Sequence, residues 1–201
     1  ARLATFLLAK KLQPQVLWDG FIISCDPKDF GVSFELQMTG EYEGKTMEVV
    51  KGILKPGMTF VDIGANIGLF TLVAARSVGP SGQVCAFEPG PDNLALLQKN
   101  VKENGYEETV TVVGKAVGDR TGTCALYLGA FNPADHRTSP TYLVRGISTG
   151  REEVTVPCTT LDDALPPSLS IDLLKMDIEG AEGEALQGME RTLLQCKALI
   201  I

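Results

Sequence analysis

The run Val61-Asp62-Ile63-Gly64-Ala65-Asn66-Ile67-Gly68 ends an apolar stretch on an acid and then turns through two glycines. Glycine lets a backbone bend sharply and approach a ligand closely, while the free N–H groups of a following helix point into the space above the strand end. Such a turn is either a ligand cradle or a plain strand-to-helix connection. Glu88 favours the cradle, because it ends the next apolar run, 24 residues after Gly64, where a carboxylate can accept hydrogen bonds from ribose hydroxyls. The dinucleotide fingerprint G-x-G-x-x-G is not met: Asn66 stands where the second glycine would meet a pyrophosphate, and Asp62 adds negative charge there. An acid ahead of the turn suits a cationic ligand, such as the amino group and sulfonium of S-adenosylmethionine. The chemistry expected is therefore methyl transfer, with a nicotinamide-dependent oxidoreductase and a catalytically silent interaction subunit of the same fold as alternatives.

Two further groups could act on a substrate. Asp177, Glu179 and Glu182 follow the apolar run Ile171 to Met176. They also stand at a helix start, where the helix dipole favours acids by roughly 0.3 to 1 kcal/mol. Three carboxylates can hold Mg²⁺, but solvated acids are the commoner outcome, and no metal is expected. The irregular segment 129–152 carries the chain's single histidine, His136, between Asp135 and Arg137. Loops beyond about 12 to 15 residues without regular patterning are usually functional or disordered. His136 is thus a candidate for catalysis or substrate binding, set against a solvated loop histidine, and Arg137 a weaker candidate for an anionic substrate group.

The elements that would position these residues follow from periodicity. Residues 1–12 read as a short amphipathic helix, and Asp19-Gly20 between Gln15–Trp18 and Phe21–Ser24 is a two-residue hairpin signal. Val32, Phe34, Leu36 and Met38 alternate with polar residues, which suggests a strand over 32–39 with helix as the alternative. Thr46 is placed to cap a helix that carries Met47, Val50, Ile53 and Leu54 and ends before Pro56-Gly57. Strands then alternate with helices, the signature of a parallel sheet. Strands are expected at 59–63, 83–87, 110–117 and 171–176, helices at 69–76, 91–104 and 182–194, and an off-sheet pair at 123–128 and 154–158. Ala198 to Ile201 opens a further strand. The apolar ending and the first residue, Ala1, suggest a chain cut at both ends.

Composition narrows the partners. Eighteen Lys and Arg against 25 Asp and Glu give a net charge of −7, which disfavours nucleic acid and anionic membrane and leaves a small molecule as the expected partner. No early apolar stretch approaches the 18 or more residues of a membrane span. The five cysteines lie 34 or more residues apart, without zinc or redox spacing, and suggest reduced thiols in a cytoplasmic protein.

The ordered motifs FVDIGANIGLF at 60–70, AFEP at 86–89 and LKMDIEGAE at 174–182, with NPADHR at 132–137, resemble the FkbM-type family of class I S-adenosylmethionine-dependent methyltransferases. The resemblance runs from about residue 42 to the end. It implies an α/β, doubly wound, mostly parallel Rossmann-like sheet of strand order 3-2-1-4-5-7-6, of which this chain holds five strands. The expected division is an extension at 1–55, of helix and hairpin, ahead of a cofactor-binding domain at 56–201. By this likeness Asp62, Gly64, Ala65, Asn66 and Gly68 meet the methionine part of S-adenosylmethionine and Glu88 meets the ribose. Lys115, Ala116 and Val117 lie beside the adenine, and Asp177 stands next to the methyl group. An oxygen acceptor, and a catalytic role for His136 and Asp177, are likewise implied by the resemblance.

Overall fold

The computed structural model describes residues 12–127 and 153–201. The helix expected at 1–12 lies almost wholly outside them, and the 129–152 loop with His136 does so entirely.

Five parallel strands form the central sheet, in the order β10-β9-β3-β4-β5. They are β3 (Thr59–Ile63), β4 (Gln83–Phe87), β5 (Val110–Val113), β9 (Leu173–Met176) and β10 (Leu199–Ile200). Counting only these strands, the order is 5-4-1-2-3, a class I Rossmann-like sheet. β3 lies at its centre and all five of its residues are buried, as expected of a strand covered on both faces. The chain runs outward through β4 and β5, then returns to the other side of β3 as β9. This reversal opens a crevice at the carboxyl ends of β3, β4 and β9, where open α/β sheets bind ligands.

One face of the sheet packs on α3 (Leu69–Val78) and α4 (Pro91–Glu103), and the other on α5 (Leu161–Ala164), α6 (Glu182–Gln187) and α7 (Glu190–Leu194). The N-terminal residues share the first core: Phe21, Ile23, Val32, Leu36 and Val50 pack in one cluster with Phe60, Leu72 and Leu97. Asp19 and Gly20 both adopt positive φ (47° and 83°) in the turn of the β1 (Gln15–Trp18) and β2 (Phe21–Ser24) hairpin, the backbone that a two-residue turn needs. Asp19 ties this turn to the helices through Lys51 at 2.8 Å and Arg76 at 2.6 Å; the Lys51 hydrogen bond leads in holding its carboxyl below the usual range.

The free edge of β2 is closed by Asn100 of α4 and by Asn104, the residue at its C-terminal cap. Asn100 Oδ1 accepts from Ser24 N at 2.6 Å and Asn104 Oδ1 from Ile22 N at 2.9 Å, while their amides donate to the Ser24 and Ile22 carbonyls. Four helical residues rise about 6 Å and two strand residues about 6.6 Å, so an i,i+4 amide pair matches alternate strand residues.

The structure differs from the sequence reading in five places. Residues Val32–Thr39 form a helix, α1, not a strand. Its buried residues are Val32, Ser33 and Leu36, at helical spacing, while Met38 is exposed. The buried Asp29 carboxylate accepts from the N–H groups of Gly31 and Ser33 at 2.7 Å each and so satisfies the helix start. The next helix, α2, spans Gly44–Ile53, so Thr46 lies within it and does not cap it. The run 110–117 is divided at Gly114: Val110–Val113 stays in the main sheet. Ala116–Val117 (β6) instead joins β7 (Gly122–Tyr127) and β8 (Glu153–Thr159) in a three-stranded sheet. Regular strand in the 171–176 run begins only at Leu173, with Ile171 forming an isolated bridge to Cys196. The helix expected over 182–194 breaks at Gly188, because the Asp162 carboxylate accepts from Arg191 N and Thr192 N and starts α7 afresh.

β7 and β8 pair outside the main sheet, as read from the sequence, and the structure shows that they run antiparallel. All five cysteines are free.

Candidate active site

The turn after β3 is held by backbone geometry. Gly64 N and Ala65 N both donate to the Phe87 carbonyl, at 3.0 and 2.9 Å, and Asp177 N donates to the Ile63 carbonyl at 3.0 Å. Gly64 has φ +80°, and a Cβ there would lie 2.0 Å from the Asp177 carbonyl oxygen, so only glycine lets β3 and the end of β9 come this close. Asn66 follows with φ 51°, and its side chain accepts from Ile67 N at 2.8 Å.

Glu88 is the centre of the arrangement. Its Oε2 accepts from Asn66 N at 2.9 Å and its Oε1 from Gly90 N at 2.8 Å, so one carboxylate joins the glycine turn to the start of α4. The residue is 4% exposed. Burial pushes its carboxyl up to about 7, against the lowering by the Gly90 and Asn66 N–H groups, and nearby Asp62 adds to the rise.

The cleft beside Glu88 is lined by Gly64, Asn66, Lys115, Ala116, Val117 and Asp177, as expected, and also by Asn93, Leu126, Ile178 and Glu179. Ala65 faces a neighbouring pocket instead. Asp62 and Gly68 line neither. Asp62 is fully buried under α3, its Oδ2 accepting from Thr71 Oγ1 at 2.7 Å and its Oδ1 without a partner. Burial raises its carboxyl despite the opposing charge of Lys175. Even-numbered β3 residues point to the α3 face, which carries Asp62 away from the cleft. Gly68 stands at the N-terminus of α3 with φ 96°.

Asp177 is half-exposed at the rim. Glu182 is occupied by the backbone: its Oε1 accepts from Ile178 N and Gly180 N at 3.2 Å each and folds the segment after β9. Among the described residues no cluster of three or more His, Cys, Asp or Glu is placed to hold a metal ion. The candidate base His136 lies outside the described residues.

Sequence reasoning passed over Asn100, whose amide donates to the Ile67 carbonyl at 2.8 Å as well as to β2. A polar residue at a core position of α4 was the available signal. It also passed over Lys175, a lysine inside an apolar strand run, 4% exposed.

A parallel sheet with a reversal point, a glycine turn above it and a buried acid ending the next strand define a doubly wound, Rossmann-like domain. The chain belongs to the FkbM methyltransferase family: the model described as the methyltransferase FkbM domain matches residues 62–201. Methyltransferase sdnD of Sordaria araneosa is 32% identical over 155 residues, covering 65% of this chain and 60% of that protein. The 31-O-demethyl-FK506 methyltransferase FkbM of Streptomyces tacrolimicus is 28% identical over 162 residues, covering 68% and 61%. The chain thus spans about three-fifths of the length of these relatives. A crystal structure of methyltransferase FkbM from Methylobacillus flagellatus KT is 18% identical, covering 96% of this chain and 45% of that one, with a TM-score of 0.46. Among the described residues no helix is long and apolar enough to cross a membrane.

Proposed function

We propose that this chain binds S-adenosylmethionine in the cleft and takes part in transferring its methyl group to a hydroxyl oxygen of a small molecule or glycan. The observation that carries the reading is the buried Glu88 carboxylate, fixed by Asn66 N and Gly90 N at the cleft wall. A carboxylate offers about four lone-pair sites; Asn66 N, Gly90 N and the Asn93 side chain use three, so Glu88 can still accept from a ribose hydroxyl. Ala116, Val117 and Leu126 offer an apolar wall for adenine, and the close approach at Gly64 leaves the turn free of side-chain bulk. These residues fit the cofactor.

When bound, S-adenosylmethionine supplies an electrophilic methyl group on a sulfonium sulfur. The protein's part is alignment and proton removal. Glu88 holds the ribose, the Gly64–Asn66 turn meets the methionine part, Asp177 stands at the rim toward the reacting group, and His136 takes the acceptor's proton. The oxygen acceptor is supported by the name of the Streptomyces relative, a 31-O-demethyl-FK506 methyltransferase. Five free cysteines suit a reducing, cytoplasmic setting.

Calorimetry tests the cofactor. S-adenosylhomocysteine should bind more tightly than NAD, and Glu88→Ala should weaken it by about 1.5 to 3 kcal/mol, the scale of hydrogen bonds to a charged group. Tighter NAD binding would overturn the assignment in favour of an oxidoreductase. Mass spectrometry of hydroxylated acceptors incubated with methyl-labelled cofactor then tests transfer; binding without any labelled product would favour a silent subunit.

A further inference from the structure

The N-terminal hairpin and the glycine turn meet at one side chain. Asn100 lies on the buried face of α4 with Leu97 and Val101 and is 0% exposed. A leucine would fill such a position, whereas an amide is costly there unless its polar atoms are bonded. Asn100 meets that condition with partners from two distant parts of the chain. Its Oδ1 accepts from Ser24 N at 2.6 Å, and its Nδ2 donates to the Ser24 carbonyl at 3.2 Å and to the Ile67 carbonyl at 2.8 Å.

The two ends of the amide are not interchangeable. Ser24 N can only donate, so it requires Oδ1 on its side, and both Nδ2 hydrogens are then left for the two carbonyls. With the amide reversed, Oδ1 would face the Ile67 carbonyl, two acceptors with no proton between them. The backbone of β2 therefore sets the orientation that Ile67 needs.

The segment held by this contact is strained. Ile67 follows Asn66, whose φ of 51° is left-handed, and precedes Gly68 at 96°. A non-glycine residue in that region costs of order 1 to 3 kcal/mol and persists only where its surroundings fix it. Glu88 holds one side of the turn through Asn66 N at 2.9 Å, and Asn100 holds the other through the Ile67 carbonyl. The helix ladder of α3 starts one residue later, with Leu72 N donating to the Gly68 carbonyl. Asn104 grips the same hairpin strand, but its bonds go to Ile22 and to the Asn100 carbonyl.

We propose that Asn100 is a positioning residue for cofactor binding, and that Ser24 of the N-terminal hairpin is the group that orients it. The inference rests on the S-adenosylmethionine reading above and extends it to two residues behind the cleft wall. Ser24 lies ahead of the family-matched residues 62–201, so the cofactor turn depends on a segment outside that match.

Calorimetry with S-adenosylhomocysteine and denaturant unfolding, run side by side on the full chain, test it. Asn100→Ala deletes the amide, and Ser24→Pro removes the orienting N–H at an edge position where proline is tolerated. Each should weaken S-adenosylhomocysteine by about tenfold, the upper range for one net hydrogen bond. Because both break one path, the double variant should bind no more weakly than Asn100→Ala alone. Asn104→Ala loosens the same strand and lowers stability, yet should keep affinity within about twofold of wild type. If one of the first two variants does not fold, the other compared with Asn104→Ala decides. Wild-type affinity in Asn100→Ala or Ser24→Pro, or an equal loss in Asn104→Ala, overturns the proposal while leaving the cofactor reading intact. Failure of the wild type to bind S-adenosylhomocysteine overturns both.

Discussion

Cofactor affinity should depend on pH through Glu88. Its carboxyl is pushed up to about 7, mainly by burial. In the free protein it is therefore about one-tenth ionised at pH 6 and about nine-tenths at pH 8. Ribose hydroxyls are donors, and both carboxylate oxygens already accept from backbone N–H groups, so binding favours the ionised form. Affinity for S-adenosylhomocysteine should rise about tenfold from pH 6 to pH 8, with nearly one proton released per ligand at pH 6 and about a tenth at pH 8. Calorimetry in two buffers of different ionisation enthalpy measures both quantities. The compound 5′-methylthioadenosine keeps the ribose but has no titrating amine, and should show the same slope. Glu88→Gln should abolish the slope and weaken binding, because its amide N–H₂ would face the donors of Asn66 or Gly90. A flat affinity between pH 6 and 8 with no buffer-dependent heat would refute this account. The free protein follows the same linkage. The folded-state value lies above the ordinary 4.5, so the stabilisation from this group is fully present below pH 4.5 and is lost as pH rises through about 7.

Three other outcomes are expected. Asn100→Ala removes the partners of Ser24 N and of the Ile67 carbonyl inside the core, and denaturant unfolding should show a loss of about 1 to 3 kcal/mol for each buried group left unpaired. Gly64→Ala should cost several kcal/mol and abolish S-adenosylhomocysteine binding, since its Cβ meets the Asp177 carbonyl at 2.0 Å and the backbone there is left-handed. Gly68→Ala meets the same kind of backbone strain (φ 96°), but its close contact at 2.6 Å is the end of the Leu97 side chain and not backbone, so it should cost less by the same unfolding measurement. His136→Ala should lower single-turnover methyl transfer by about 100-fold with cofactor affinity unchanged, and the wild-type rate should rise with pH around about 6.5. An unaltered rate would return His136 to a solvated loop role.

The alternation of apolar runs with helical stretches was enough to predict a parallel sheet covered by helices, though not where the run 110–117 leaves it. A strand buried on both faces must be apolar at every position, and Thr59–Ile63 and Leu173–Met176 come close to that pattern by themselves. The glycine turn and Glu88 were legible for a related reason: a positive-φ approach and a strand-ending acid are local requirements, set by backbone sterics and reach. Asp19-Gly20 was readable in the same way, as a turn whose φ values few other residue pairs supply.

Tertiary structure alone decided the rest. The residues Val32–Thr39 alternate like a strand, yet the buried Asp29 carboxylate satisfies the first helical N–H groups, and only packing shows that Met38 faces solvent. A helix over 182–194 is consistent with its own periodicity, and it breaks because Asp162, some 30 residues earlier, starts α7 afresh. Asp62 was read as a wall of the cleft from its position beside the glycines. The pleat of β3 turns it instead toward Thr71 and Lys175, because alternate strand residues point to opposite faces and the register with β9 selects the face. Lys175 drew no reading from the sequence. The parallel pairing of β3 with β9 sets it in register with Asp62, 113 positions earlier, a juxtaposition that no local pattern encodes.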